Sequence, residues 1–118
     1  MRRRAARARL GLGPQHRLRG SGAFEALLRQ GRRSTRQGFV FYTVRREAGP
    51  PRLGILVSRR HAAKATVRNQ IKRCIREAFR LEQARLGALD VLVRPPYGMK
   101  PGPEALARLR ALFSELAR

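Results

Sequence analysis

Apolar residues recur along this chain at two different periods, and each period marks its own elements. In residues 66–86, Val67, Ile71, Cys74, Ile75, Ala78 and Phe79 fall at helical spacing and form one continuous stripe. At roughly 100° per residue, Arg68, Asn69, Lys72, Arg73, Arg76 and Arg80 fan across the other half of the same helix. A shorter helix carries Phe24, Leu27 and Leu28, with Ser21 as its expected N-cap and Gly31 as its stop. Pro103 and Glu104 open a last helix whose apolar positions are Leu106, Leu109, Leu112, Phe113 and Leu116.

The period of two is clearest in residues 39–44, an aromatic and β-branched run that predicts a strand. Alternation places Phe39 and Phe41 on one side, with Val40, Tyr42 and Val44 on the other. Both sides are apolar, so one of them must meet something besides solvent. Residues 48–51, Ala-Gly-Pro-Pro, predict a turn, and residues 52–58 the returning strand of a hairpin. Asp90 precedes a short buried strand, Val91 to Arg94, closed by Pro95 and Pro96. The expected order is helix, β-hairpin, helix, strand, helix, without internal repeats: an α+β chain with a mixed sheet.

Charge changes this picture more than composition does. Hydrophobic residues make up 42% of the 118, enough for one folded domain with a single modest core. Lys and Arg number 28 against 7 Asp and Glu, a formal charge of +21. Such self-repulsion opposes compaction, and a polyanion that screens it stabilises the fold. Nucleic acid is the expected partner, ahead of an anionic membrane surface. The preponderance of arginine suits bidentate phosphate contacts and stacking on bases. Glu77 is the only acid among the cations of residues 66–80, so that helix face is expected to stay cationic rather than be neutralised by i,i+4 partners.

Residues 1–16 are Arg-rich and free of acid, and are expected to form a flexible basic arm ahead of a domain spanning residues 17–118. A transit peptide is the competing reading of that composition. Gly11-Leu12-Gly13 is not a phosphate loop, because no strand precedes it. The single cysteine, Cys74, excludes an internal disulfide and lies on the apolar stripe as a small buried hydrophobe. No apolar run approaches the ~18 residues of a membrane span, and the expected location is cytoplasmic.

Catalysis by the chain alone finds little support. The acids Glu25, Glu47, Glu77, Glu82, Asp90, Glu104 and Glu115 are spread singly, whereas a two-metal nuclease clusters its carboxylates. His16 and His61 lie in different contexts, and His61 is expected to be exposed in the basic connection 59–65. No Ser or Cys nucleophile has a visible base. No catalytic residue and no metal ligand is assigned.

Arg68-Asn69, Ile71-Lys72-Arg73 and Arg76-Glu77-Ala78-Phe79-Arg80 resemble the signature R-N-x-x-K-R-x-x-R-[EQ]-x-F of the protein subunit of bacterial ribonuclease P. Leu18-Arg19 with Phe24 and Gly31, residues 39–42, residues 52–60 and residues 90–93 are similar to that family's first helix, first long strand, helix-feeding strand and last strand. The resemblance implies an α-β sandwich like domain 2 of ribosomal protein S5, with a four-stranded mixed sheet, three helices and a left-handed βαβ crossover. It also implies a non-catalytic, RNA-binding subunit of a tRNA 5′-maturation endoribonuclease, which assists removal of the leader from precursor tRNA. The catalytic RNA carries the chemistry and requires magnesium, and the protein itself binds no cofactor. By position, Arg59, Arg60, Arg68, Asn69, Lys72, Arg73 and Arg76 take the role of binding that RNA. Phe24, Val40 and Tyr42 take the role of a cleft for the single-stranded 5′ leader. Gln70 stands where a basic residue is common, and Leu28 where some members carry a second cleft aromatic. A structural ribosomal RNA-binding protein and a small nuclease acting alone are the other readings.

Overall fold

The structure, a computed structural model, describes residues 20–117. The expected basic arm, residues 1–16, lies outside the described residues. The elements are α1 (Gly20–Gln30), β1 (Arg32–Arg36), β2 (Phe39–Arg45), β3 (Arg52–Ile55), α2 (Ala65–Leu86), β4 (Leu89–Arg94) and α3 (Pro103–Leu116). Three helices and a four-stranded mixed sheet match the expected class, and the sheet order is β1-β2-β4-β3.

Side-chain alternation divides the sheet into two faces. Phe39, Phe41, Leu53, Leu89, Val91 and Val93 enter the larger core, which α2 and α3 complete with Ile71, Ile75, Phe79, Leu109 and Phe113. Phe113 meets Phe41 and Phe79 edge-on, with ring centroids 5.9 and 5.7 Å apart. On the opposite face α1 lays Leu27 against Leu92, with Phe24, Tyr42, Val44 and Leu56 packed around them. The two apolar sides of β2 are thereby explained: each meets its own helical layer. β4, central and buried on both faces, needs no alternation of polarity.

The hairpin is not the one expected. β2 pairs antiparallel with β1, from Arg32↔Thr43 to Arg36↔Phe39, through Gln37 and Gly38. Their φ values of 53° and 84° are the left-handed pair that a type I′ turn demands. β3 is shorter than residues 52–58 and pairs parallel with β4, so β3, α2 and β4 form a βαβ unit. Residues 46–51 therefore step across the end of β4 rather than turn back on β2. Asp90, at that end, grips both limits of the step. It accepts from Arg46 Nε at 2.8 Å and from the Arg52 fork at 2.8 and 2.7 Å. The hydrogen bond to Asp90 raises the Arg52 pKa. Arg46 also donates to the carbonyls of Ala48 and Pro50, bracing the loop from inside.

The helix ends follow local chemistry. α1 stops at Gly31, where a Cβ would lie 2.5 Å from the Leu27 carbonyl oxygen, and its first turn already contains Ser21. α2 stops at Gly87, whose φ is 65°. Pro103 opens α3 with Glu104 in its first turn, as the sequence predicts.

Candidate nucleic-acid interface

α2 carries the expected cations on a rigid rod of 22 residues. Ile71, Ile75, Ala78, Phe79 and Leu86 anchor it to the sheet, and the buried stripe continues through Glu82 and Gln83. Asn69, Arg73 and Arg76 are exposed, while Arg68 and Lys72 lie half-buried on one flank. The first turn contains no acid and Lys64 makes no side-chain cap, so nothing offsets the positive end of the helix dipole. Arg73 and Lys72 have no ion-pair partner among the described residues.

Arg68 and Arg80 of the cationic fan are tied to groups of the chain itself. Arg68 Nη1 donates to the carbonyls of Ala62 and Ala63 at 3.0 and 2.9 Å, tying α2 to the loop before it. Arg80 pairs with Glu77 at i,i+3, through Nε to Oε1 at 2.9 Å and Nη2 to Oε2 at 2.5 Å. That hydrogen bonding holds the Glu77 carboxyl below the usual glutamate range and raises the Arg80 pKa. No i,i+4 ion pair is formed on this face, but Glu77 takes Arg80 at i,i+3, so Arg80 belongs to the scaffold. Cys74 is half-buried rather than fully buried, its Sγ 3.8 Å from the Gly102 carbonyl.

Arg59 and Arg60 are exposed in the turn that follows β3. His61 fixes that turn. It is 6% exposed, not the exposed loop histidine expected. Its Nδ1 accepts from the Ser58 backbone N–H at 3.0 Å, so its Nε2–H donates to the Pro95 carbonyl at 2.9 Å. The Tyr97 ring lies 4.7 Å from it. The signal was weak because both ring partners are main-chain groups, and neither an acid nor a cysteine betrays them.

The cleft residues lie together on the α1 side of the sheet. Phe24 and Tyr42 are half-buried around Leu27 and Leu92, and Val40 is one pleat further along at 6% exposure. Phe24 rests over Gly54, where a Cβ would come within 3.0 Å of its ring. Cross-strand register adds two residues that sequence reasoning missed. Arg33 is the partner of Tyr42 on β1, and Arg94 is the partner of Val40 on β4. Neighbours in register share a face, so the aromatic and the valine each have a guanidinium beside them. Residues 32–36 show no apolar alternation, so nothing local marks Arg33 as a strand residue. Leu28 is 43% exposed.

Among the described residues no three of His, Cys, Asp and Glu come together, and no helix is long and apolar enough to cross a membrane. A sheet face packed by α1 and edged by Arg33 and Arg94, beside a helix whose first half carries no acid, defines a small basic α-β protein. Residues 12–117 match the family model for Ribonuclease P, and the chain belongs to that protein family. It is 37% identical over 107 residues to the Ribonuclease P protein component of Bordetella petrii, covering 86% of this chain and 85% of the relative. It is 44% identical over 69 residues to that of Chromobacterium violaceum, where the match spans little more than half of either protein, 57% of each. The RNase P protein from Thermotoga maritima superimposes with a TM-score of 0.73 at 27% identity, covering 84% of this chain and 96% of that one.

Proposed function

We propose that this chain is the RNA-binding protein subunit of ribonuclease P and assists endonucleolytic removal of the 5′ leader from precursor tRNA. Arg59, Arg60, Arg68, Asn69, Lys72, Arg73 and Arg76 bind the catalytic RNA. Phe24, Val40 and Tyr42 hold the unpaired leader, with Tyr42 as the stacking surface and Val40 as the floor beneath it. The RNA, with the magnesium it requires, performs the hydrolysis, and the protein positions substrate and catalyst. The observation that carries this reading is the acid-free first half of α2, set in the family's own motif and next to the Arg59–Arg60 turn.

Arginine side chains on a helix flank contact phosphates without reading bases, which suits docking on a folded RNA. The α1-side groove combines an aromatic with flanking guanidiniums, which suits an unpaired strand whose bases stack while its phosphates are neutralised. Reconstitution tests the reading. With the ribonuclease P RNA, the protein should lower the magnesium needed to cleave precursor tRNA, and no effect on cleavage or precursor affinity at any magnesium or salt would overturn it. Tyr42→Ala should cost about 1–3 kcal/mol in affinity for leader-bearing tRNA and little for mature tRNA. Equal losses with both substrates would return Tyr42 to a packing role.

A further inference from the structure

β1 sends arginines to both faces of the sheet. Arg33 points to the Tyr42 side, whereas Arg32, Ser34 and Arg36 share the face that α2 and α3 cover elsewhere. There they line a recess of about 700 Å³ with Thr43 and Arg45 of β2 and Glu115 in the last turn of α3. Three guanidiniums and two hydroxyls face one carboxylate, and that carboxylate is taken by Arg36. Arg45 is held at the rim by a hydrogen bond from its Nη1 to the Leu86 carbonyl at 3.3 Å. The Arg32 side chain has no ion-pair or hydrogen-bond partner among the described residues.

Charge on an edge strand guards against strand addition, and β1 is an edge. Edge protection does not account for Arg45, which belongs to an inner strand, or for hydroxyls gathered in the same recess. Residues 1–19 contain no acid that could supply a counter-charge. No aromatic lines the recess, so its chemistry is that of phosphate and not of stacked bases.

We propose that this recess binds the phosphodiester backbone of an RNA strand, on the face of the sheet opposite the Tyr42 groove. The inference rests on the RNA-binding reading above and adds a third contact surface to it. Arg32 supplies the free guanidinium, Arg45 a pre-positioned one, and Ser34 the neutral donor, while the Thr43 hydroxyl donates to the Arg32 carbonyl at 3.5 Å and braces the strand pair.

The test is a salt titration of protein affinity for the ribonuclease P RNA, with Arg73→Ala on α2 as the companion variant. Arg32→Ala should lower the slope of log K against log salt by about 0.7–0.9, and Arg32→Lys should restore it. A slope unchanged in Arg32→Ala but lowered in Arg73→Ala overturns this proposal and leaves the α2 reading standing. Slopes unchanged in both variants overturn the RNA reading and this proposal with it. Inorganic phosphate, titrated against the Ser34 and Thr43 amide resonances of the protein alone, separates the sources. Saturable shifts without any effect of Arg32→Ala on RNA would make the recess a site for a free anion and overturn its assignment to RNA.

Discussion

Both halves of α2 carry arginines, and the halves differ in the acids set beside them. From Ala65 to Arg76 there is no acid, Arg73 is exposed, and Arg68 is spent only on carbonyls of its own loop. From Glu77 onward the cations are partnered. Arg80 is bound by Glu77, Arg85 lies 3.7 Å from Glu82, and Glu82 also takes Arg110 of α3 at 2.7 Å. The first half is a surface and the second a seam between helices. Among the described residues five acids engage seven arginines, and none of those acids lies in the first half of α2. A chain with so few acids keeps one helix face cationic by placing them elsewhere.

The contrast breaks most visibly at Glu82, whose carboxylate is 5% exposed. Glu82→Ala should destabilise the fold by about 2 kcal/mol, below the range for a fully buried pair because Arg110 is half-exposed. Urea unfolding should record that loss while the salt slope for RNA binding stays unchanged. Arg68→Ala should weaken RNA binding by about 1–2 kcal/mol, because it removes a cation and also frees the loop carrying Arg59 and Arg60. Its effect on affinity should exceed that of Arg73→Ala, and the reverse order in measured Kd values would show that the loop tie is idle. Arg73→Ala itself should lower the salt slope by about 0.7–0.9 with stability inside roughly 0.5 kcal/mol of the parent.

The smallest effect belongs to the Glu77–Arg80 pair. Glu77 is held below its ordinary pKa by Arg80, so its contribution to stability is complete above that ordinary value and disappears as pH falls through the lower folded one. Both side chains are partly exposed, and solvent screening of this i,i+3 pair limits the contribution to about 0.5 kcal/mol. Thermal melts across the acid range should show Glu77→Gln flattening the curve slightly. An equal change in RNA binding would move Arg80 from the seam to the surface.

The legible parts of the fold were those where polarity and period agree. α2, α3 and β2 each bury a stripe at their own spacing, so their residues announced them. β1 did not, because Arg-Arg-Ser-Thr-Arg buries no apolar side chain and β2 is its one partner strand. The place of β3 is hidden for a related reason. A Gly-Pro-Pro turn between two strands reads as a hairpin locally, while the parallel partnership with β4 is set by α2 and by Asp90 across a long separation. Within the candidate site, exposure of Asn69, Arg73 and Arg76 followed from the helical wheel. The tie from Arg68 to two carbonyls, the buried His61, and the register of Arg33 and Arg94 all depend on tertiary neighbours that no local pattern encodes.

Gly54 sets a clearance. A Cβ there would lie 2.9 Å from Leu92 Cδ1 and 3.0 Å from the Phe24 ring, so any larger residue would push both side chains off their present seats. The gap between helix and strands is thus gauged by an absent atom beneath one aromatic ring. A side chain at position 54 would act as a shim, lifting α1 and widening the groove while leaving every residue proposed to line it in place.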